Sequence, residues 1–215
     1  GPCSITVSQA GDQNTYLPAS VTQAFQVNSV VPGAPTLGVI VVPDSPAGQT
    51  TGSAQVSFSP PANSGGSQIT SYTVTASPGS ITATGASSPI TVTGLTLGQA
   101  YTFSIVATNG SGPGPSSGQS SAVTPVGAQT IAFNNPGNGN FGATVTMNAT
   151  ATSGLPVQFA TTTPNVCEVR NANQVFGKAP GNCAMQASQP GSAAYRAAAL
   201  VTQNFQIVVP GGAVT

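Results

Sequence analysis

Side chains able to do chemistry are few in this chain and far apart. It carries three cysteines, three acids (Asp12, Asp44, Glu168), three bases (Arg170, Lys178, Arg196) and four tyrosines, with no histidine and no tryptophan. Without histidine, no Ser-His-Asp or Cys-His arrangement forms. Glycoside hydrolysis needs two carboxylates flanking one bond, and these three acids fall in three separate stretches. The same scatter argues against calcium, which takes about six to eight oxygens, several of them carboxylates. Lys178 reads as a solvated residue rather than the activator of a serine. Gly110 to Gly118 reads as turn glycines with no following helix to hold a phosphate. Glu168 and Arg170 share one face of a strand, with Lys178 a cross-strand partner, and such exposed pairs imply no site. The expectation is no enzyme, with no catalytic residue, cofactor or metal.

The cysteines point to covalent structure instead. Cys167 and Cys183 flank a short excursion ending in Ala179-Pro-Gly-Asn182. A disulfide across it would restrict the unfolded chain by about 3 kcal/mol. The other reading is a pair of buried free thiols; the disulfide is favoured because no histidine offers a metal alternative. Cys3 is left unpaired.

Composition narrows the partners. Charged residues make up 3% of the chain against 39% hydrophobic, and the formal net charge is zero. Three cations cannot displace counterions along nucleic acid, and no polybasic segment addresses an anionic membrane. The longest aliphatic run, Val39, Ile40, Val41 and Val42, is far short of the ~20 residues that span a bilayer. No membrane insertion is expected, and any export signal has been removed or lies outside this stretch. An uncharged polar surface offers little repulsion between copies, which favours self-association.

Short alternating runs dominate the elements. Ala54, Val56 and Phe58 alternate, as do Tyr72, Val74 and Ala76, then Ile90 and Val92, then Tyr101, Phe103, Ile105 and Ala107. That last strand is expected to stop at Asn109-Gly-Ser-Gly-Pro-Gly-Pro115. Turn residues separate the runs and no helical period is sustained, the pattern of a β-sandwich. After Gly127 the pattern restarts with Gln129-Thr-Ile-Ala-Phe133, Val145/Met147/Ala149 and Val166-Cys-Glu-Val169. Pro32-Gly-Ala-Pro35 reads as a linker. Prolines fence Val39 to Val42, a half-buried edge strand in the plain reading and a docking edge for another chain in the sharper one.

A long repeat ties the two ends together. Cys3-Ser-Ile-Thr-Val-Ser-Gln-Ala-Gly11 with Tyr16, Val21-Thr-Gln23 and Phe25-Gln-Val27 matches Cys183 to Gly191 with Tyr195, Val201-Thr-Gln203 and Phe205-Gln-Ile207. The cysteines and the Val-Thr-Gln triplets are both 180 positions apart, with a one-residue slip at the tyrosines. Residues 1–31 therefore read as the closing strands of a module in an array. A half-buried strand runs from Cys3 through Ile5 and Val7, and a second over Val21 to Val30. Two strands with one apolar face are marginal alone. Ile5, Val7, Val21, Phe25 and Val27 are thus candidates for strand sharing, and the partner of Cys3 is expected about sixteen residues upstream. Gly1-Pro2 either match Gly181-Asn182 or remain from a cleaved expression tag.

Phe58-Ser-Pro-Pro61, Ile69-Thr-Ser-Tyr72, Gly94-Leu-Thr-Leu-Gly98, Tyr101-Thr-Phe103 and Ala107-Thr-Asn109 with Gly112-Pro-Gly-Pro115 resemble a fibronectin type III domain over about residues 32–126. The resemblance implies that Tyr101 bonds back to the preceding turn and that Phe58 lies near the family's core tryptophan; the Arg-Gly-Asp tripeptide of some members is absent. Gln129-Thr-Ile-Ala-Phe133, Ala149 to Pro156, Thr163-Pro-Asn-Val-Cys167 and Gly181-Asn-Cys183 resemble the immunoglobulin-like repeats of bacterial surface proteins. The expected architecture is all-β, with tandem immunoglobulin-like and fibronectin type III-like sandwiches joined by short Pro/Gly linkers. Its segments are a partial module (1–31), a fibronectin type III-like domain (32–126), an immunoglobulin-like domain (127–210) and the start of a linker (211–215).

The resemblance implies a bacterial secreted or cell-surface protein whose segment spaces, displays or adheres. Its partners would be neighbouring modules, other copies of itself, a surface glycan or the cell envelope. One alternative is a self-assembling filament or sheath completed by strand sharing. Another is a carbohydrate-binding accessory part of a secreted hydrolase, which needs exposed coplanar rings among Tyr16, Tyr72, Tyr101 and Tyr195; Tyr72 and Tyr101 read as core.

Overall fold

A computed structural model describes residues 1–12 and 14–211, and every regular element among them is a β-strand. Of the expected linker at 211–215, residues 212–215 lie outside the described residues. β1 (Pro2–Gln9) and β2 (Ala19–Gln26) form an antiparallel hairpin, pairing Cys3 with Phe25, Ile5 with Gln23 and Val7 with Val21. Its turn is held locally. The Asp12 amide donates to the Tyr16 carbonyl at 3.0 Å. The Asp12 carboxylate accepts the amides of Asn14, Thr15 and Tyr16, which hold it below the usual carboxylate range, Tyr16 most of all. Gly11 has φ +74°, and a Cβ there would lie 2.4 Å from the Tyr16 carbonyl oxygen. β2 ends earlier than the strand expected to reach Val30.

Next come β3 (Thr36–Val41), β4 (Thr51–Ser59), β5 (Ile69–Ser77), β6 (Ile81–Gly85), β7 (Ile90–Thr96), β8 (Thr102–Asn109) and β9 (Gly112–Ser116). They make one sheet in the order β3-β4-β7 and another in the order β6-β5-β8-β9. Period-2 alternation decides which residues turn inward. Ala54, Val56, Phe58, Tyr72, Val74, Ala76, Ile90, Val92, Phe103, Ile105 and Ala107 are all buried. Phe58 tilts against Tyr72 with ring centroids 4.6 Å apart, in the geometry aromatic pairs prefer. The Thr96 amide donates to the Tyr101 hydroxyl at 3.0 Å, the corner bond that the resemblance implies. One element differs from the sequence reading. The Gly-Pro-rich stretch taken as a turn forms β9, an edge strand whose register slips between Val106 and Thr108. Proline is tolerated at an edge because its missing N–H interrupts no interior ladder. The Ser117 hydroxyl meanwhile accepts the Ile105 amide at 3.0 Å.

The third group is β10 (Ile131–Asn134), β11 (Gly139–Asn140), β12 (Thr144–Thr146), β13 (Asn148–Ala151), β14 (Gln158–Thr161), β15 (Cys167–Arg170), β16 (Gln174–Gly177), β17 (Gly181–Ser188) and β18 (Val201–Val208). Their sheets run β11-β18-β17-β14, β12-β16-β15 and β10-β13. The alternating run Val145/Met147/Ala149 changes sheets. Its first part pairs with β16 and its second with β10, and the Met147 amide between them donates to the Asn173 carbonyl at 2.7 Å. The core gathers Ile131, Phe133, Met147, Val175, Met185, Phe205 and Ile207 around Cys167 and Cys183.

Cα proximity divides the chain into two compact units. The first is Gly1–Val39, Val56–Ile90 and Thr102–Ser121; the second is Ile40–Gln55, Thr91–Tyr101 and Ala122–Thr215. The second unit therefore holds all of β10 to β18 together with Asp44, Gln49, Leu97 and Tyr101.

Candidate interaction surfaces and the module junction

The β1–β2 hairpin presents one apolar face, because directly opposed residues and alternate residues along a strand share a side. Cys3, Ile5, Val7, Val21 and Phe25 stand on it, with Val27 one residue past β2. All are exposed, Val7 at 69% and Phe25 at 45%. The strand expected to be half-buried is thus open on both faces, since two strands supply no second layer to cover an apolar side. On the other face, the Thr6 and Thr22 hydroxyls meet at 2.8 Å.

The repeat holds in three dimensions. β17 pairs Cys183 with Phe205, Met185 with Gln203 and Ala187 with Val201, the same register as in the hairpin. Gly191 carries φ +89°, and a Cβ there would lie 2.5 Å from the Tyr195 carbonyl oxygen, as at Gly11. The environments are opposite. Met185 and Ala187 are fully buried and Phe205 is 3% exposed. β14 pairs with the outer edge of β17, and β11 pairs in parallel with β18.

A second open edge is β3, at the end of its sheet. Val39 is 69% exposed and Val41 51%, while Ile40 and Val42 are half-buried. Pro43 closes the run, as edge strands often require.

Cys167 and Cys183 are disulfide-bonded with Cα atoms 5.8 Å apart, and the bond ties β15 of one sheet to β17 of another. Cys3 is a free, exposed thiol. Each acid is committed to its own partners. Glu168 meets Arg170 at 2.6 Å and Lys178 at 3.7 Å. Arg170 also stacks 3.5 Å above the Phe176 ring, which adds a cation–π attraction. Among the described residues no three His, Cys, Asp or Glu side chains group to hold a metal, and no helix is long and apolar enough to cross a membrane.

Tyr72 and Tyr101 are buried, Tyr195 is half-buried and Tyr16 is exposed in the hairpin turn. Tyr72 and Tyr101 are therefore closed to a sugar. A shallow groove runs from Pro43 past Gln49 to Gly94, and no aromatic ring lines it.

Sequence reasoning missed the junction built within the second unit. Gly127 lies between two strands of backbone. Ser45 donates to the Val126 carbonyl at 3.0 Å and accepts from the Ala128 amide at 2.8 Å on one side. On the other, Gly127 donates to the Ala194 carbonyl and accepts from the Arg196 amide, both at 2.9 Å. A Cβ at Gly127 would lie 2.7 Å from Leu97 Cδ1 and 3.2 Å from the Tyr195 ring, so a larger residue would have to displace both side chains. The Arg196 guanidinium donates to the Asp44 carboxylate at 2.5 Å and the Tyr195 hydroxyl to the Gln49 carbonyl at 3.3 Å. That hydrogen bond with Arg196 holds Asp44 below the usual carboxylate range and Arg196 above its own. A buried amide pair also escaped notice: Gln129 donates to Gln189 at 2.6 Å and to the Arg196 carbonyl at 2.7 Å, and accepts from Ser153 at 2.5 Å. The only sequence signal was a glutamine ahead of an apolar run. Within the first unit the expected linker is likewise bonded. Val30 and Gly33 donate to the Gly65 and Asn63 carbonyls at 2.9 Å, and Asn109 donates to the Val30 carbonyl at 2.7 Å.

Residues 45–123 match the family model of the fibronectin type III domain, inside the span 32–126 of the resemblance. No curated protein matches the chain. Among solved structures, domains A168–A170 of titin are 24% identical, covering 52% of this chain and 37% of that one, with a TM-score of 0.39. The chicken CNTN1 FN1–FN3 domains are 16% identical over 81% of this chain and 67% of that one, with a TM-score of 0.34. The Clostridium thermocellum CbhA fibronectin(III)-like modules are 14% identical over 79% and 94%, with a TM-score of 0.30. The chain spans 37% of the length of the titin structure. Residues 45–123 thus match the fibronectin type III domain family, within a chain whose regular elements among the described residues are all β-strands.

Proposed function

We propose that the chain is a non-enzymatic structural segment of a bacterial secreted or cell-surface protein, one that spaces and displays its neighbours. The observation that carries this reading is the junction at Val126 to Ala128. There a connection between modules is bonded to backbone on both sides instead of running free. A bonded connection transmits orientation, whereas a Gly/Ser linker behaves as a flexible coil. The disulfide supports an oxidising, extracellular setting. Acids that are each tied to local partners support a role without catalysis. The partners this reading assigns are adjoining modules of the same array, with surface glycan or cell envelope as the surroundings.

A second reading, assembly by strand sharing, is favoured by the exposed apolar residues of the hairpin and of β3. Sedimentation velocity across a concentration series, with electron microscopy of the same samples, separates the two. The spacer reading expects one species whose sedimentation coefficient does not rise with concentration. Growth into regular fibres would replace it with assembly.

A further inference from the structure

Asn-X-Ser/Thr, with X any residue but proline, is the tripeptide that N-glycosyl transfer reads. It occurs twice in this chain, as Asn109-Gly110-Ser111 and as Asn148-Ala149-Thr150. The structure puts the two in opposite situations. Asn109 is 4% exposed. Its Nδ2 donates to the Val30 carbonyl at 2.7 Å and to the Ser64 carbonyl at 2.8 Å, and its Oδ1 accepts the Ser111 amide at 2.8 Å. A structural task accounts for this side chain, which closes its own turn and ties two loops to the end of β8. Both N–H groups of its amide are committed, so no electrophile reaches the nitrogen without local unfolding.

Asn148 opens β13 directly after Met147, where the chain leaves β16 for β10. Asn148 and Thr150 are exposed, while Ala149 is half-buried and Ala151 buried. Amide and hydroxyl therefore stand on one outward face, as residues i and i+2 of a strand do. β10 pairs along one side of β13, and among the described residues no strand lies along the other. An enzyme can thus approach both groups in the folded chain.

We propose that Asn148 is an acceptor site for an N-linked sugar and that Asn109, within the same kind of tripeptide, is not. The co-substrate is a sugar activated as its 1-diphosphate ester. Asn148 Nδ2 bonds to the anomeric carbon as that carbon's bond to the diphosphate oxygen breaks. The diphosphate leaves with the electron pair, and Nδ2 gives up one proton to a base of the transferase. The sugar sits on an open strand edge of a chain with 3% charged residues. It adds a bulky, solubilising group where an unpaired strand is otherwise free to pair with another. This inference rests on the two tripeptides and their burial and not on the spacer role, so either can fail alone.

The test incubates the folded, oxidised full chain with two transferases, one using uridine diphosphate glucose and one using a polyprenyl-diphosphate oligosaccharide. Each is chosen for modifying synthetic peptides of residues 144–152 and 105–113, whose rates normalise those of the chain. Intact mass should show one addition with at least one transferase, which identifies the form of the donor, and peptide mapping should place it at Asn148. Normalised in this way, Asn109 should react at least about 100-fold more slowly than Asn148. Asn148→Gln and Thr150→Val should each abolish the addition with the melting temperature unchanged, since both side chains point outward. A folded chain that neither transferase modifies at Asn148 overturns the inference. So does a smaller gap between Asn109 and Asn148, which would mean that burial does not select between the two tripeptides.

Discussion

Removing the disulfide tests how the complete module is stabilised. The bridge closes a loop of 16 residues. In the chain-entropy model such a loop restricts the unfolded state by about 3 kcal/mol at 25 °C. Reduction of the native protein isolates that contribution, because both sulfurs stay in a core where Cys167 and Cys183 are fully buried. For a domain of roughly 60–100 residues each kcal/mol moves Tm by about 4–8 °C, so the module's transition should fall by about 12–24 °C on reduction. The Cys167→Ala/Cys183→Ala double variant should fall further, because it also removes two buried sulfur atoms, each worth on the order of 1 kcal/mol of lost packing. Calorimetry with and without a phosphine reductant reads both effects, with complete reduction verified by intact mass. A fully reduced protein melting within about 3 °C of the oxidised one would refute the reasoning. It would mean that the unfolded chain is already held compact, or that the fold does not need the tie between its sheets.

Three further outcomes are expected. Gly114→Ala places a Cβ 2.2 Å from the Pro32 carbonyl oxygen, a backbone atom that cannot rotate away. It should cost about 1–3 kcal/mol in urea unfolding, while Gly118→Ala, which meets nothing within 4 Å, should be close to neutral. Tyr101→Phe removes the acceptor of the Thr96 amide and should cost about 0.5–1.5 kcal/mol by the same measurement; an unchanged midpoint would show that the corner bond is replaced by water. The Asp44 carboxyl, lowered by Arg196, should titrate below an unstructured aspartate when followed by carbon-detected NMR. Because its folded pKa is depressed, its contribution is present above the unfolded pKa and is lost as pH falls through the folded one. Arg196→Gln should raise the midpoint, and no movement would refute the pair.

Much of the fold was legible because strand alternation is a local property. The inward positions from Ala54 to Ala107 were readable as every second apolar residue, and burial follows that reading. β9 was not legible, since its Gly-Pro-Gly-Pro sequence carries turn chemistry and becomes a strand only by lying at an edge beside β8. The junction was hidden for a different reason. Its bonds are mostly between backbone groups, which carry no side-chain signature, and its one ion pair joins Asp44 to Arg196 across 152 positions. The cysteine pair was readable because one short loop limits the choices. The hairpin's residues were readable too, but not its exposure: period-2 alternation marks an apolar face without saying what covers it.

The two copies of the hairpin also bear on what sets register. A slip of one residue turns a strand's apolar set to the other face, so burial is often the force that fixes pairing. Here β1 pairs with β2 in the register of β17 and β18 although no core covers it. What the copies share is the turn: a glycine at positive φ against a tyrosine carbonyl, closed by the next residue's amide, at Gly11 and Tyr16 and again at Gly191 and Tyr195. The one-residue difference between the two turns leaves that closure intact. A register fixed locally means the hairpin's apolar face is assembled before any partner meets it. Ordering two strands on contact would cost backbone entropy of about 1–2 kcal/mol per residue, and a preformed face avoids that cost.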